Sequence, residues 1–248
     1  QEAVRVQEKI IEKTKELKKA MMADLFRYGG PSFRKGRKLK KTEIGEIPEN
    51  WEVVRLEQVG RVCSGDNAPQ GEKYFKNGKY PFVRVQHFDG ESTYVGKWDL
   101  INETAKKEYN LRLFPAETII FPKSGASIRL EKRAKLKIPS CIVSHLCALI
   151  VNQDIVNTDF IFNYLKTTKL INSSAGSTLP YLNISKVGKF QIPLPPFPEQ
   201  REIAEIFQTI DQKIEIEQKK KALYEELFKS MLNKLMTGEI RVNNINFS

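Results

Sequence analysis

Cysteine is scarce: Cys63, Cys141 and Cys147 are the three in 248 residues. Three thiols cannot staple a small secreted scaffold. The count suits a reducing compartment, so the expected location is cytoplasmic. Long apolar runs are absent too. The longest clean one covers residues 147–151, whereas a bilayer-spanning helix needs roughly 20 apolar residues, so no membrane partner is expected. No charged, apolar, small-residue order at the start marks a secretory leader. The chain opens on Gln1 rather than Met, which fits a missing upstream segment.

Histidine is scarcer still, at two. No Ser-His-Asp spacing stands out to support nucleophilic catalysis, and no G-x-x-x-x-G-K-[ST] supports ATP binding. Leu194-Pro195-Pro196-Phe197 comes near the Asn/Asp-Pro-Pro-Tyr/Phe motif of amino-methyltransferases. Leucine cannot accept a hydrogen bond from a target amine, however, and no glycine-rich cofactor loop accompanies the motif. The Glu-x-Lys triplets at Glu16-Leu17-Lys18 and Glu217-Gln218-Lys219 fall in expected helices and read as solvated faces, not nuclease signatures. Cys141-x3-His145-x-Cys147 has a zinc-like spacing. In a strand these residues share a face with Val143, Leu149 and Val151, where Cys acts as a small hydrophobe. A fourth ligand would have to be Cys63 or His87, so core packing is the preferred reading and no metal is expected.

What the chain does have is positive charge. Lys and Arg number 41 against 30 Asp and Glu, a net charge of +11 with a pI near 9.4. Residues 1–41 carry +8, residues 42–198 +4 and residues 199–248 −1. Such a balance is the footprint of a nucleic-acid binder, although an acidic partner or anionic lipid would also suit it. At 40% hydrophobic and 10% aromatic the chain can bury a core, which excludes wholesale disorder.

Periodicity organises the chain. Residues 1 to about 28 read as a helix with Ala3, Ile10, Leu17 and Met21 on one face, stopped by Gly29-Gly30-Pro31. A basic linker follows to Lys41. Short β-rich runs over 51–56, 80–86, 118–121, 142–151 and 189–194, with a helix from Thr158 to about Leu170, make an α+β middle. Pro195-Pro196-Phe197-Pro198 then launches a helix that runs without Pro or Gly to about Met236. Its seam, Ile203, Phe207, Ile210, Ile214, Glu217, Lys221, Tyr224, Phe228, Met231 and Leu235, keeps a 4-3 heptad spacing. A two-per-seven apolar stripe needs a partner helix, and the first helix is the candidate, antiparallel to it. The second helix would reach ~57 Å and the first ~42 Å at ~1.5 Å per residue. The stripe near Met231 and Leu235 therefore calls for a further partner. Glu217 and Lys221 are expected to fix the register. The two helices also end alike: Glu16-Leu17, Met21-Met22 and Leu25-Phe26 align with Glu226-Leu227, Met231-Leu232 and Leu235-Met236, and each series closes on a glycine, Gly29 or Gly238.

These segments resemble a known family. Glu43-Ile44-Gly45-Glu46-Ile47-Pro48-Glu49-Asn50-Trp51-Glu52-Val53-Val54-Arg55-Leu56 is similar to the opening of a target-recognition domain in specificity subunits of Type I restriction–modification systems. Ile192-Pro193-Leu194-Pro195-Pro196-Phe197-Pro198-Glu199-Gln200-Arg201-Glu202-Ile203-Ala204 resembles the start of that family's spacer helix. Residues 15–30, ending Asp24-Leu25-Phe26-Arg27-Tyr28-Gly29-Gly30, resemble the end of its central helix. Ala175-Gly176-Ser177-Thr178, before Asn183-Ile184-Ser185, resembles its approach to the last strand. The resemblance implies an N-terminal spacer helix (1–30), a basic linker (31–41), a target-recognition domain (42–194), a C-terminal spacer helix (195–237) and a tail (238–248). It implies a non-catalytic scaffold that reads half of a bipartite site in double-stranded DNA, its antiparallel helices acting as a ruler for the unread spacer. Two half-sites read from one face of B-DNA lie ~34 Å apart, which helices of this length can span. It also implies methyltransferase subunits and ATP-dependent restriction subunits as partners, which would carry S-adenosylmethionine, ATP and Mg. One recognition domain is present where the family has two, so the second is expected in cis or by homodimerisation.

Within the middle domain Lys123, Arg129, Lys132, Arg133, Lys135 and Lys137 form the densest basic cluster, after a Pro-Lys-Ser-Gly turn that includes Ser124. Cations there would bind phosphates. Arg84, Gln86, Arg129 and Arg133, with Tyr181 and Asn183, are the candidates for reading bases. Ile10, Leu17 and Met21 are expected to pair with Ile203, Phe207, Ile210, Ile214, Tyr224, Phe228, Met231 and Leu235. The competing readings are a coiled-coil adaptor whose globular part binds protein, and a DNA-modifying enzyme in its own right.

Overall fold

Helix α1 (Glu2–Tyr28) opens the chain and a hairpin follows, β1 (Leu39–Thr42) and β2 (Gly45–Pro48). Next come β3 (Glu52–Arg55), the single turn α2 (Leu56–Val59), β4 (Gly60–Ser64), β5 (Tyr80–Val83), β6 (Asp99–Ile101) and α3 (Glu103–Glu108). Then follow β7 (Ile119–Pro122), β8 (Ala134–Lys135), β9 (Cys141–Ile142), β10 (Leu146–Val151) and α4 (Thr158–Thr167). The chain finishes with β11 (Ser174–Ala175), β12 (Tyr181–Leu182), α5 (Ile184–Gly188), β13 (Gln191–Leu194) and the long α6 (Phe197–Met236). This computed structural model describes residues 1–170, the backbone of 174–175, and residues 181–240. Gly176, Ser177 and Thr178 of the resemblance above, and the tail from residue 241, lie outside the described residues. The fold is α+β with a long helix at each end of the sequence, and it divides into two compact units, Asp24–Ala204 and Gln1–Ala23 with Glu205–Ser248.

The first unit is built on a sheet ordered β4-β10-β7-β8, antiparallel throughout. Strand β10 is its centre, and Leu146, Cys147, Ala148 and Leu149 are all buried, as an apolar run without alternation requires. A second sheet, β6-β5-β9, supplies Phe82, Val83, Ile101, Cys141 and Ile142 to the same core, joined by Phe114, Ile120 and Leu136. Strand β13 pairs antiparallel with β3, setting Leu194 opposite Glu52, so the start of α6 lies beside the segment that follows the first hairpin. Pro193 is tolerated there because this ladder has two strands and an open edge.

The Pro-Pro-x-x-Glu-Gln segment works as a buried polar anchor. The carbonyl of Pro196 accepts the first bonds of α6 from the amides of Glu199 and Gln200. Glu199 is 0% exposed. Its carboxylate accepts from both terminal nitrogens of Arg37 (Nη2 at 2.8 Å), from Trp51 Nε1 at 3.0 Å and from the Gly30 amide at 3.0 Å. Gln200 accepts from the Asn157 amide at 2.8 Å and donates to the Pro195 carbonyl at 2.8 Å, which ties the α6 start to the cap of α4. Trp51 meets Phe160 edge-on, and Phe26 meets Phe160 and Tyr164 in the same way. Gly29 ends α1 at φ +83°, and a Cβ there would fall 2.1 Å from Arg37 Nη1 and 2.2 Å from Glu199 Oε1. A side chain is excluded twice, by backbone conformation and by space.

The second unit is a pair of helical segments. Lys18 Nζ donates to both carboxylate oxygens of Asp211 at 2.6 and 2.7 Å, and Lys221 Nζ pairs with Glu8 at 2.8 Å. Between the two ion pairs the first helix steps back ten residues while the second steps forward ten, the signature of an antiparallel pair without stagger. On α6 the expected seam is buried at Phe207, Ile210 and Glu217 and half-buried at Ile214 and Lys221; Ile203, the first seam position, is buried within the other unit.

On α1 the seam is one position off the expected one. Gln7, Thr14 and Lys18 are buried, and Val4 and Ile11, which continue their three- and four-residue intervals, are half-buried. Ile10 and Met21 are half-buried, and Leu17 is 53% exposed. Much of the true stripe is polar: Lys18 pairs with Asp211 and the Thr14 hydroxyl donates to the Ile10 carbonyl, so the apolar pattern pointed at its neighbours. Tyr224, Phe228, Met231 and Leu235 are likewise exposed instead of paired. In the register set by the ion pairs, the positions opposite Met231 and Leu235 precede Gln1.

Candidate nucleic-acid interface

Strand ends converge at one edge of the Asp24–Ala204 unit. The start of β10 pairs with the ends of β4 and β7, setting Cys147 opposite Ser64 and Leu146 opposite Pro122. The Val143 amide donates to the Val83 carbonyl at 3.0 Å, which brings the end of β5 to the same place. The Lys123 amide donates to the His145 carbonyl at 2.9 Å, and Leu182 of β12 donates to the Lys123 carbonyl at 2.8 Å. Four strand ends and one short strand thus present Lys123, Ser124, His145, Tyr181, Ser64, Ser144 and Arg84 from backbones pinned to one another.

The side chains there are polar and mostly reach water. Ser124 Oγ lies 2.6 Å from Nδ1 of exposed His145. Lys123 Nζ stands 5.6 Å from the ring centre of exposed Tyr181, a cation–π contact, with no carboxylate paired to it among the described residues. Ser64 Oγ donates to the Gly65 carbonyl at 3.1 Å. Arg112 is bound to Asp66 and to the Ser64 carbonyl. That ion pair raises the Arg112 pKa further, against a smaller opposing effect of burial.

The profile of the Type I restriction modification DNA specificity domain matches residues 48–226. The chain belongs to this family. It is 35% identical over 204 residues to the Type I restriction enzyme MjaIX specificity subunit of Methanocaldococcus jannaschii, covering 81% of this chain and 46% of that protein. With the MjaVIII specificity subunit of the same organism the identity is 31% over 252 residues, covering 96% of this chain and 57% of that protein. The chain thus spans about half the length of these curated relatives. The crystal structure of the S subunit of a Type-I restriction-modification system from M. genitalium shares the fold, with a TM-score of 0.63 at 19% identity over 94% of this chain and 57% of that one.

In this specificity domain the sequence candidates separate. Lys123, Ser124 and Tyr181 come together at the strand-end edge. Gln86 is exposed on the short turn Val85–His87. Arg84 is half-buried and donates to Asp99 at 2.6 Å, and its backbone amide donates to His87 Nδ1 at 3.0 Å. Arg129 is exposed on the 3-10 turn Ala126–Leu130. Lys132 Nζ donates to the Phe88 carbonyl at 3.2 Å. Asn183 is exposed, but its side-chain oxygen caps α5, accepting from the amides of Ser185 and Lys186.

Two candidates are corrected. Lys135 is 1% exposed and donates to Asp159 at 2.5 Å, Glu117 at 2.7 Å and Tyr94 at 3.0 Å. Burial alone would lower its pKa, and the three partners outweigh it, so the ammonium is held charged inside the fold. Arg133 is 2% exposed, paired with Glu131 and stacked over Phe121. Burial lowers its pKa and Glu131 opposes that. Both cations serve the core of β8 and its surroundings and are not available to a phosphate.

His145, Ser144, Ser64 and Arg112 were not among the sequence candidates. Residues 142–151 read as one strand, whereas Val143, Ser144 and His145 form a turn between β9 and β10. Polar Ser144-His145 inside an apolar run was the signal. The turn aims His145 outward while Cys141 and Cys147 stay buried. Burial pushes the Cys141 thiol up to about 11, and the Cys147 thiol upward as well. No group of three His, Cys, Asp or Glu residues suited to a metal occurs among the described residues, and no described helix is long and apolar enough to cross a membrane.

Proposed function

We propose that this chain binds double-stranded DNA sequence-specifically, reading one half of a bipartite target as the specificity component of a Type I restriction–modification complex. The observation that carries the reading is the strand-end edge. There a cation without a carboxylate partner, an exposed aromatic ring and a hydroxyl–imidazole pair stand together on interlocked backbone. Lysines supply phosphate affinity, and fixed polar side chains supply base discrimination. The net charge of +11 favours the same partner.

In this proposal residues 42–194 are the recognition domain and the two long helices are the spacer and assembly surface. Methyltransferase and restriction subunits dock there and carry out adenine methylation and cleavage. A second recognition domain is supplied in cis or by a second copy. The repeated helix ends support it. Leu25 and Phe26 are buried before Gly29, while the matching Leu235 and Met236 are exposed before Gly238, which ends its helix at φ +75° much as Gly29 does at +83°.

A salt-titrated duplex-binding assay, with and without a methyltransferase subunit, tests the reading. Affinity should fall steeply and linearly on a log–log scale as salt rises. No duplex affinity under either condition would leave a protein-binding adaptor as the better account, and methylation by the purified chain alone would make it an enzyme.

A further inference from the structure

We propose that His145 is a specificity-determining residue. Ser124 presents its imidazole to an acceptor on a base edge in the major groove, and Lys123 with Tyr181 holds the adjoining phosphate. The proposal rests on the DNA-binding reading above and goes beyond it by naming the reader and its chemistry.

Three observations lead there. The first is rigidity. His145 sits in a tight turn whose carbonyl accepts from Lys123 at 2.9 Å, and the next residue, buried Leu146, donates to the Val143 carbonyl at 2.9 Å. A reading side chain must be held to a fraction of an ångström, and this one is mounted between two core strands instead of on a free loop. The second is the state of the ring. Nδ1 is engaged by Ser124 Oγ at 2.6 Å, and the described residues give Nε2 no hydrogen-bond partner. Taking the serine hydroxyl as the donor to Nδ1, we assign the ring proton to Nε2, which then points one donor outward. Purine N7 and guanine O6 are the matching major-groove acceptors. The third is what surrounds it. Arg84, after the end of β5, is bound to Asp99, Arg112 to Asp66, and the Asn183 oxygen to a helix cap. Lys123, whose amide bonds the His145 carbonyl, supplies the phosphate contact beside the base that His145 touches.

The test uses the full chain and a pool of randomised duplexes, sequencing what is retained. The wild type should enrich a defined motif. His145→Ala should lose discrimination at one motif position, by roughly five- to ten-fold, while the preferences at the other positions persist. Ser124→Ala should weaken discrimination at that same position by a smaller factor, because the ring is then loosely aimed. Lys123→Ala should lower affinity for every duplex alike and reduce the salt slope by about one. His145→Gln, which keeps a donor on a different stem, should change the preference at that position only, and melting curves establish that each variant is folded. A His145→Ala motif identical to the wild type, or a uniform loss across all positions, would overturn the proposal while leaving DNA binding intact. Failure of the wild type to enrich any motif would overturn the proposal and the reading beneath it together.

Discussion

Replacing Glu199 puts the buried anchor to the test. Its two oxygens accept four donors, two from Arg37 and one each from the Trp51 indole and the Gly30 amide, and none of it is exposed to water. Glu199→Ala leaves a nearly buried guanidinium without its counter-charge. Breaking a buried pair from one side costs about 3–5 kcal/mol. The stranded indole and amide add to that, each at about 1 kcal/mol or more. We expect a loss of at least about 5 kcal/mol, seen in urea unfolding followed by tryptophan fluorescence. The corresponding drop in melting temperature is roughly 10–20 °C for a unit of this size. Glu199→Gln should recover less than half, because its amide places a donor against donors. The double variant Arg37→Met with Glu199→Met should cost at least about 2 kcal/mol less than the sum of the single changes. A Glu199→Ala shift below about 1 kcal/mol with unchanged Trp51 emission would refute the anchor.

Lys135→Met should cost about 3 kcal/mol in the same assay, the low end for a buried pair because Asp159 and Glu117, which lose their shared cation, keep some exposure. The raised Lys135 pKa means that its contribution is complete below the ordinary lysine range and disappears only as pH climbs beyond it. His87 runs the other way. Burial lowers its pKa against the pull of Asp99, and its Nδ1 accepts the Arg84 amide. The unfolded chain therefore takes up the proton first, and stability should fall as pH drops through the ordinary histidine range toward the lower folded-state value. His87→Gln should flatten that part of the curve. In the helix pair, Lys18→Asp should lower helical stability by roughly 2 kcal/mol, and adding Asp211→Lys should restore at least half of it by circular dichroism. Failure of the exchange to recover anything would count against the antiparallel register.

The strongest local signals were legible in the sequence. Glycine at the close of α1, prolines before α6 and the heptads through Lys221 all correspond to what is observed, because each depends on chemistry within a few residues. Legibility failed where a partner distant in the chain decides the outcome. Lys135 looks like one more surface lysine until Asp159, Glu117 and Tyr94 close around it. Lys18 displaced Leu17 from the seam because Asp211 stands across from it. His145 was hidden by a turn that breaks an apparently continuous apolar strand. Short pairings such as β8 and β9 carry too few residues for any periodicity to show.

The central claim, that this chain supplies sequence choice while other polypeptides make and break bonds, meets its most direct test in the methylated bases of the encoding organism's genome, read with and without this gene. The account expects a gapped motif whose adenine methylation vanishes on deletion and returns when the gene is restored. An unchanged methylome in a strain that otherwise expresses active methyltransferase subunits would contradict it.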